Sequence, residues 1–514
     1  MRHFIKLSAM AAVILSSQMT ADARNDSITY RAAVYTNASS GAAAPYMIGS
    51  WNGGRNAVKN SLLLDLSAEK TLDRSRRFSW GAGAEVITGY SHDMRYARYD
   101  KDADDWTVSN MRPSAIRLQT LYAEIKYRCL YALGGMKEAE SKIVDPRLSS
   151  GDLVLSNNAR PIPGVTVGFI DFQDIPFTKG WLQIDGKINY SRLTDNGFRR
   201  KQFNYYNDLI ATDLNYTYKY CYFRTKPSER LSVTFGMQTA AFFGGSSDRY
   251  LHGKLTNSEH RGFKIKDALK MLIPLRGNGN GFYEGSTLGS WSLKARYRLR
   301  DNSQIAFYFE WPWEDGSGIG RMNGWDGLWG LQYTTDHRQA VSGAVAEYID
   351  FRNMSGPLHW APGDNPGTTI TTEATGGDNY YNNDSFGPYT NYGMAIATPF
   401  IVSPFYNSDG YPEFIYNRIR GYHIAVLGWL TDDISYKAMI SGQKGYAMGR
   451  TPLPQARKNF SAMAQVGWDA RHVLPGLDVK AQLAIDRGRL RGDNFGGALT
   501  ISYTGSLTLS SRKK

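Results

Sequence analysis

The chain has 514 residues, 42% of them hydrophobic and 13% aromatic, with 33 Tyr and 12 Trp, and a mean hydropathy of −0.43. Such polarity excludes a helical membrane protein, whose spans need roughly 20 consecutive apolar residues, and the length is too great for one compact core but suits one large barrel. A net charge of +13 would suggest nucleic acid in a soluble protein, but part of the excess here falls on the polar faces of strands, and no nucleic-acid partner is expected.

The N-terminus reads as an export signal. Arg2 and Lys6 supply a positive n-region, Leu7 to Leu15 an apolar stretch, and Ala21-Asp22-Ala23 a small-x-small cleavage site. Residues 1–23 are therefore assigned to a signal peptide. Residues 24–514 are assigned to one outer-membrane β-barrel of a Gram-negative bacterium.

Beyond the signal, the dominant pattern is alternation with a period of two. Leu121, Ala123, Ile125 and Tyr127 interleave with Tyr122, Glu124, Lys126 and Arg128. Trp291, Leu293, Ala295, Tyr297 and Leu299 repeat it, as do Leu499, Ile501, Tyr503, Leu507 and Leu509. Side chains alternate across a strand, so each segment has one apolar and one polar face. Many such segments behind an export signal point to an antiparallel transmembrane barrel. In chain order they fall near 28–35, 61–70, 78–90, 116–127, 129–137, 163–171, 181–192, 214–225 and 231–242. The series continues near 290–300, 304–312, 327–335, 339–350, 416–430, 434–442, 459–469, 477–486 and 497–509. These are about 18 strands, an even number as single-chain bacterial barrels require. The count falls to sixteen if the first and fifth segments lie outside the barrel. No helix is expected after the signal.

Tight turns at Arg300–Ser303, Thr335–Arg338 and Thr431–Asp433 alternate with long insertions near 138–162, 243–289, 313–326, 351–415 and 443–458. Short turns on one side and long loops on the other are the barrel pattern, with the long loops extracellular or folded into the lumen. The last strand is followed by Ser510-Ser511-Arg512-Lys513-Lys514 rather than ending on an aromatic residue.

The segment 351–415 is richest in recognition chemistry. Trp360, Tyr380, Tyr381, Asn382, Tyr389 and Tyr392 combine flat faces for sugar C–H surfaces with oriented amides for hydroxyls. The same residues would equally serve to pack a plug. Lys294, Arg296, Arg298 and Arg300, joined by Arg160, could line the lumen or bind anionic glycans or lipid headgroups. Alternatively they are rim charges paired with acids. Cys129 and Cys221 fall in separate strand-like segments, so a disulfide is not expected. Neither His nor Cys shows ligand spacing, so no metal or cofactor is expected. The chain has no Gly-x-Ser-x-Gly elbow, and its histidines are dispersed. Catalysis is not expected.

Four stretches resemble the Wzi-type capsule assembly family in its Bacteroidetes-like version. They are Ser156-Asn157-Asn158-Ala159-Arg160-Pro161-Ile162-Pro163, Ile175–Trp181, Asn391–Phe400 and Tyr416–His423. The resemblance extends over nearly all of the mature chain. It implies an eighteen-stranded barrel with an occluded lumen, acting as a lectin that attaches or assembles capsular or surface polysaccharide. Enterobacterial members carry an N-terminal helical bundle, for which residues 24–60 show no amphipathic helix. Beside this polysaccharide-binding reading stands a porin-like diffusion channel for anionic or sugar solutes. Outer-membrane lipid is an expected partner in both.

Overall fold

The structure is a computed structural model that describes residues 27–263, 265–271, 285–314, 321, 323–354, 378–449 and 451–508. The assigned signal peptide lies outside them. Every alternating segment forms a strand. The first nine are β1 (Ser27–Ser39), β2 (Ser61–Lys70), β3 (Phe78–Ser91), β4 (Ile116–Tyr127), β5 (Leu130–Met136), β6 (Gly164–Phe169, extended by Gln173–Asp174), β7 (Leu182–Arg192), β8 (Asn215–Thr225) and β9 (Leu231–Phe243). The other nine are β10 (Gly285–Arg298), β11 (Gln304–Trp313), β12 (Gly327–Thr334), β13 (Gly343–Asp350), β14 (Ile419–Trp429), β15 (Ile434–Met448), β16 (Thr451–Asp469), β17 (Leu477–Gly488) and β18 (Asn494–Thr508).

Each strand pairs antiparallel with its neighbour in sequence, and the sheet closes where β1 meets β18 from Ser27↔Thr508 to Ser39↔Gly496. The count of eighteen is thus settled, with the first and fifth segments inside the barrel. Closure leaves no edge strand, the condition for crossing a bilayer with strands.

The pleat sorts side chains to two faces. On β16 the outward positions are Phe460, Ala462, Ala464, Val466 and Trp468. On β17 they are Leu477, Val479, Ala481, Leu483 and Ile485. Leu483 is 59% exposed and Phe460 43%, as befits side chains meant for lipid rather than water. The inward positions of β8 are Tyr216, Tyr218, Tyr220 and Tyr222, all buried.

The connections at one end are all short, from 128–129 to 170–181, and every long connection lies at the other end, which also holds the brief turn after β15 and the short 489–493. The segment 443–458 is not an insertion as expected: β15 runs on to Met448 and β16 starts at Thr451, so the sheet extends beyond the barrel there. Three long connections escaped the sequence reading, at 40–60, 92–115 and 193–214. The second forms a hairpin (Met94–Asp100 with Asp105–Met111). The third contributes Asp208–Thr212 to a three-stranded sheet with Gly245–Leu251 and Lys254–Arg261. Against expectation three short α-helices also occur among the described residues, Tyr46–Gly49, Phe198–Gln202 and Ile265–Lys270. All are too short to carry a readable helical period. Both cysteines are free, Cys129 in the turn after β4 and Cys221 on the outward side of β8.

Placing a base in the middle of the apolar face should be costly. Leu483→Arg is expected to lower barrel stability by about 2–4 kcal/mol, measured by urea unfolding in lipid vesicles. Gln482→Arg, one residue away on the lumen side, should cost much less.

Candidate functional site

The interior is built from loops 40–60, 137–163 and 378–418, which fold down from the long-loop end and pack as a second core. Ile48, Val58, Leu148, Leu153, Val154, Tyr381, Tyr389, Phe400, Phe405 and Phe414 are among its buried members. A loop inside a polar lumen must find partners for its backbone, and inward side chains of the wall supply them. Glu347 of β13 accepts Ser149 Oγ at 2.6 Å and Ser150 N at 2.7 Å, and Tyr308 also donates to it. Glu310 of β11 accepts Leu153 N at 3.2 Å. His423 of β14 lies 2.8 Å from Leu148 O and 2.7 Å from Ser441 Oγ. Asp486 of β17 accepts Tyr46 N at 2.9 Å, and Gln443 of β15 donates to Phe400 O at 2.7 Å. Arg55, after the left-handed Gly53 and Gly54 (φ 64° and 66°), forms a two-point ion pair with Glu85 at 2.6 and 2.7 Å and also meets Glu138.

The predicted sugar-binding residues divide. Tyr380, Tyr381, Asn382 and Tyr389 are buried in the plug, none more than 5% exposed. Tyr381 and Tyr389 donate to Leu153 O at 2.9 Å and Val154 O at 3.0 Å, and Asn382 donates to Phe414 O at 3.1 Å. Tyr380 is hydrogen-bonded to Asn323 and Asp326. Tyr392 is half-buried beneath the Arg160 guanidinium, 4.2 Å from its ring. Arg160 donates to Leu118 O at 2.7 Å, and burial lowers its pKa from the usual guanidinium value. Trp360 lies outside the described residues. The basic series divides as well. Lys294 faces the lumen and donates to Ile143 O at 2.6 Å. Arg296 and Arg298 sit at the short-turn mouth, reaching Ser232 Oγ at 3.4 Å and Glu229 O at 3.3 Å, and Arg300 is exposed in the turn.

Of the four stretches that carry the family resemblance, three take part in the packing of the plug. Ser156 N donates to Ile396 O at 3.0 Å, Asn158 Nδ2 to Ala395 O at 3.1 Å, and Asn391 Nδ2 to Arg160 O at 2.9 Å. Asn417 holds Tyr380 O at 2.9 Å. Three of the four are therefore plug-packing segments. The fourth, Ile175–Trp181, is a short-turn connection with Phe177 and Trp181 exposed.

Above the plug, at the long-loop end, a partly exposed aromatic platform was not anticipated. Tyr99, Trp106 and Tyr206 form a triangle with ring centroids 4.8–5.5 Å apart. Tyr205, the neighbour of Tyr206 in sequence, pairs with Tyr250 at 5.2 Å, with Arg98 4.7 Å over the Tyr205 ring. Trp106 is 47% exposed. The only signal in the sequence was Asn204-Tyr205-Tyr206-Asn207, the same tetrapeptide as Asn379-Tyr380-Tyr381-Asn382. Beneath the platform, burial pushes Asp208 up to about 6.

On the short-turn side of the plug, β1 to β4 and β18 enclose a cavity of about 550 Å³ roofed by Asn52, Arg55, Asn56, Lys137 and Glu138. Opposed charges line it, with Arg31–Asp65 at 3.2 Å and Lys137–Glu124 at its edge at 2.7 Å.

With this geometry in hand, the likeness to known structures is informative. The chain is similar to Wzi of Escherichia coli, described as a carbohydrate-binding β-barrel involved in group 1 capsule assembly. The TM-score is 0.54 at 11% identity, over 94% of this chain and 85% of that one. It is also similar to OccAB2 of Acinetobacter baumannii (TM-score 0.47, 11% identity, 94% and 98% covered) and OprD of Pseudomonas aeruginosa (0.42, 10%, 94% and 96%). At such identities the likeness shows the fold, an outer-membrane barrel. No protein-family model matches the chain, and no curated protein sequence matches it.

Two expectations follow. Glu347→Ala strips the acceptors from Ser149, Ser150 and Tyr308, and should loosen loop 137–163 by about 2–3 kcal/mol. The readout is faster proteolysis within that loop while the barrel stays folded. Asp208 has a folded pKa above its unfolded value, so its contribution to stability is full below about pH 4 and is lost as pH rises through about 6. Hydrogen exchange of the Leu209–Thr212 amides, corrected for intrinsic rates, should show that slope, and Asp208→Asn should abolish it.

Proposed function

We propose that the protein is a non-enzymatic, lectin-like barrel of the Wzi type, which holds or helps assemble capsular or surface polysaccharide at the Gram-negative cell surface. The observation that carries this reading is an aromatic platform, Tyr99, Trp106 and Tyr206, standing over a lumen filled by packed loops. Tilted rings in a cluster present faces and edges to sugar C–H groups. Asp104, Asn207 and Arg98 nearby supply hydrogen-bonding groups for hydroxyls or carboxylates. The description of the E. coli barrel as carbohydrate-binding supports the same reading.

Each stacked ring contributes about 0.5–1.5 kcal/mol, by analogy with aromatic pairs. A single sugar residue therefore binds weakly, and useful affinity comes from many repeats of a polymer meeting many copies of the protein. The plug residues Tyr380, Tyr381, Asn382 and Tyr389 serve this function as supports, since they hold the segments on which the surface loops rest. Tyr392 with Arg160 offers a second, smaller, half-covered contact, and Trp360 belongs to the same long connection as Tyr392.

A second reading is supported by the 550 Å³ cavity with its opposed Arg31, Arg55, Asp65 and Glu85, an arrangement suited to a constriction in a diffusion channel. The two readings separate in planar bilayers. A folded barrel that stays electrically silent supports polysaccharide binding, whereas steady ohmic steps support the channel. On the binding reading, Trp106→Ala with Tyr206→Ala should weaken retention of surface polysaccharide on the protein roughly tenfold. Retention unchanged by that pair would remove the platform from the site.

A further inference from the structure

The outward face of the barrel changes character abruptly along four successive strands. On β14 the outward positions are Tyr422, Ile424 and Val426, and on β15 they are Ala438, Ile440 and Gly442. With the apolar faces of β16 and β17 already described, they form a continuous uncharged surface. Each stripe then ends, at its long-loop end, in a base: Arg420, Lys444, Lys458 and Arg487.

Three of these bases stand in one hydrogen-bonded row. Arg420 is opposite Lys444, and Lys444 is opposite Lys458. Directly opposed side chains have Cβ atoms about 5 Å apart, and like charges placed so are destabilising. Cross-strand acids would relieve the repulsion, but among the described residues none lies within ion-pair distance of these three. The nearest candidate in register is Asp350, opposite Arg420, and it is occupied by a two-point pair with Arg352 at 2.7–2.8 Å. Arg487, opposite Phe460, has only a loose 3.9 Å approach to the exposed Asp493. Lys444 and Lys458 are themselves exposed, and Tyr446, the next outward residue above Lys444, lies 6.0 Å from the Arg420 guanidinium.

We infer that this row is a binding site for the phosphate of a phosphorylated glycolipid headgroup in the outer leaflet. A phosphate monoester brings a charge between −1 and −2 and three strong acceptor oxygens, enough to bridge two or three bases that otherwise repel each other. The height fits: a headgroup stands where the acyl-facing surface ends, and the four bases mark that boundary strand by strand. The acyl chains then lie on the stripes below, beside Tyr422 and Phe460, and Tyr446 flanks the sugar. An acidic polysaccharide offers carboxylates too, but it has no use for the apolar surface beneath the row. This site is separate from the aromatic platform and does not depend on the polysaccharide reading.

The test uses the full-length barrel in detergent, with bisphosphorylated lipid A and dephosphorylated lipid A as probes, followed by native mass spectrometry. The wild type should retain the bisphosphorylated form and release the dephosphorylated one. Each base beside an anionic headgroup is worth about fivefold, so the R420Q/K444Q/K458Q variant should bind bisphosphorylated lipid A about 100-fold more weakly. R296Q/R298Q, at the opposite rim, should bind as the wild type does, and so should W106A/Y206A. Heat-modifiable migration on gels verifies that each barrel is folded. Should the triple variant fail to fold, R420Q and K444Q singly should each show the roughly fivefold loss. Equal binding by wild type and these variants, or equal retention of both lipids, overturns the proposal. So does a loss confined to an acidic polysaccharide probe.

Discussion

The meeting of β1 with β18 is the constraint on which the rest of the molecule depends. A bilayer offers no water to an unpaired backbone group, so a sheet can cross it only if its two edges satisfy each other. Thirteen register pairs, from Ser27↔Thr508 to Ser39↔Gly496, do this here. Closure fixes which side chains point in and which point out on all eighteen strands. A slip of one residue anywhere would turn Leu483 and its neighbours into the lumen and Ala484 and Asp486 into lipid. The outward stripes and the polar anchors inside are therefore two readings of a single register.

The lumen shows what closure then demands. An eighteen-stranded barrel is too wide for wall side chains to fill, and the described loops occupy it with a hydrophobic core of their own. Core packing alone would not orient the loops, because an apolar cluster tolerates many arrangements. The wall acids do: Glu347 and Glu310 accept donors from Ser149, Ser150 and Leu153 of one loop, and Asp486 accepts Tyr46 N of another. Such buried carboxylates are tolerable only when their lone pairs are met, which ties each loop to a specific strand. The two-point pair of Arg55 with Glu85 acts in the same way for loop 40–60.

The strands were legible in the sequence because alternation is a local signal that lipid and lumen both enforce. Their ends were less so where one strand continued beyond the membrane, as β15 and β16 do through 443–458, since no change of environment marks the boundary. The plug was legible as a long aromatic insertion, but its internal contacts were not. Identical tetrapeptides make the reason concrete. In Asn379-Tyr380-Tyr381-Asn382 both rings are buried and Tyr381 Oη donates to Leu153 O, whereas Asn204-Tyr205-Tyr206-Asn207 supplies two rings to the surface platform. Composition gives both the same chemistry, and only the partner segments, far away in sequence, decide which one meets solvent. The basic series of β10 makes the same point along one strand. Lys294 lies deep enough to serve the plug while Arg298, four residues on, has reached the rim.

Plug and platform are one mechanical unit. Ala97 N donates to Ser408 O at 2.8 Å, Asn204 N to Gly410 O at 3.0 Å, and Tyr99 N to Asn204 O at 2.9 Å. Tyr96 Oη donates to Phe405 O at 2.8 Å. The rings of the surface therefore stand on segment 404–410, which is held in turn by Phe405 N donating to Gly393 O at 2.9 Å and by Gln202 Nε2 donating to Pro404 O. Weak stacking on a flexible loop would be cancelled by the entropy of ordering that loop, which amounts to about 1–2 kcal/mol for each residue fixed. On a surface already fixed by the plug, that cost is met during folding. The loops packed inside the barrel thus also fix the surface that stands above them.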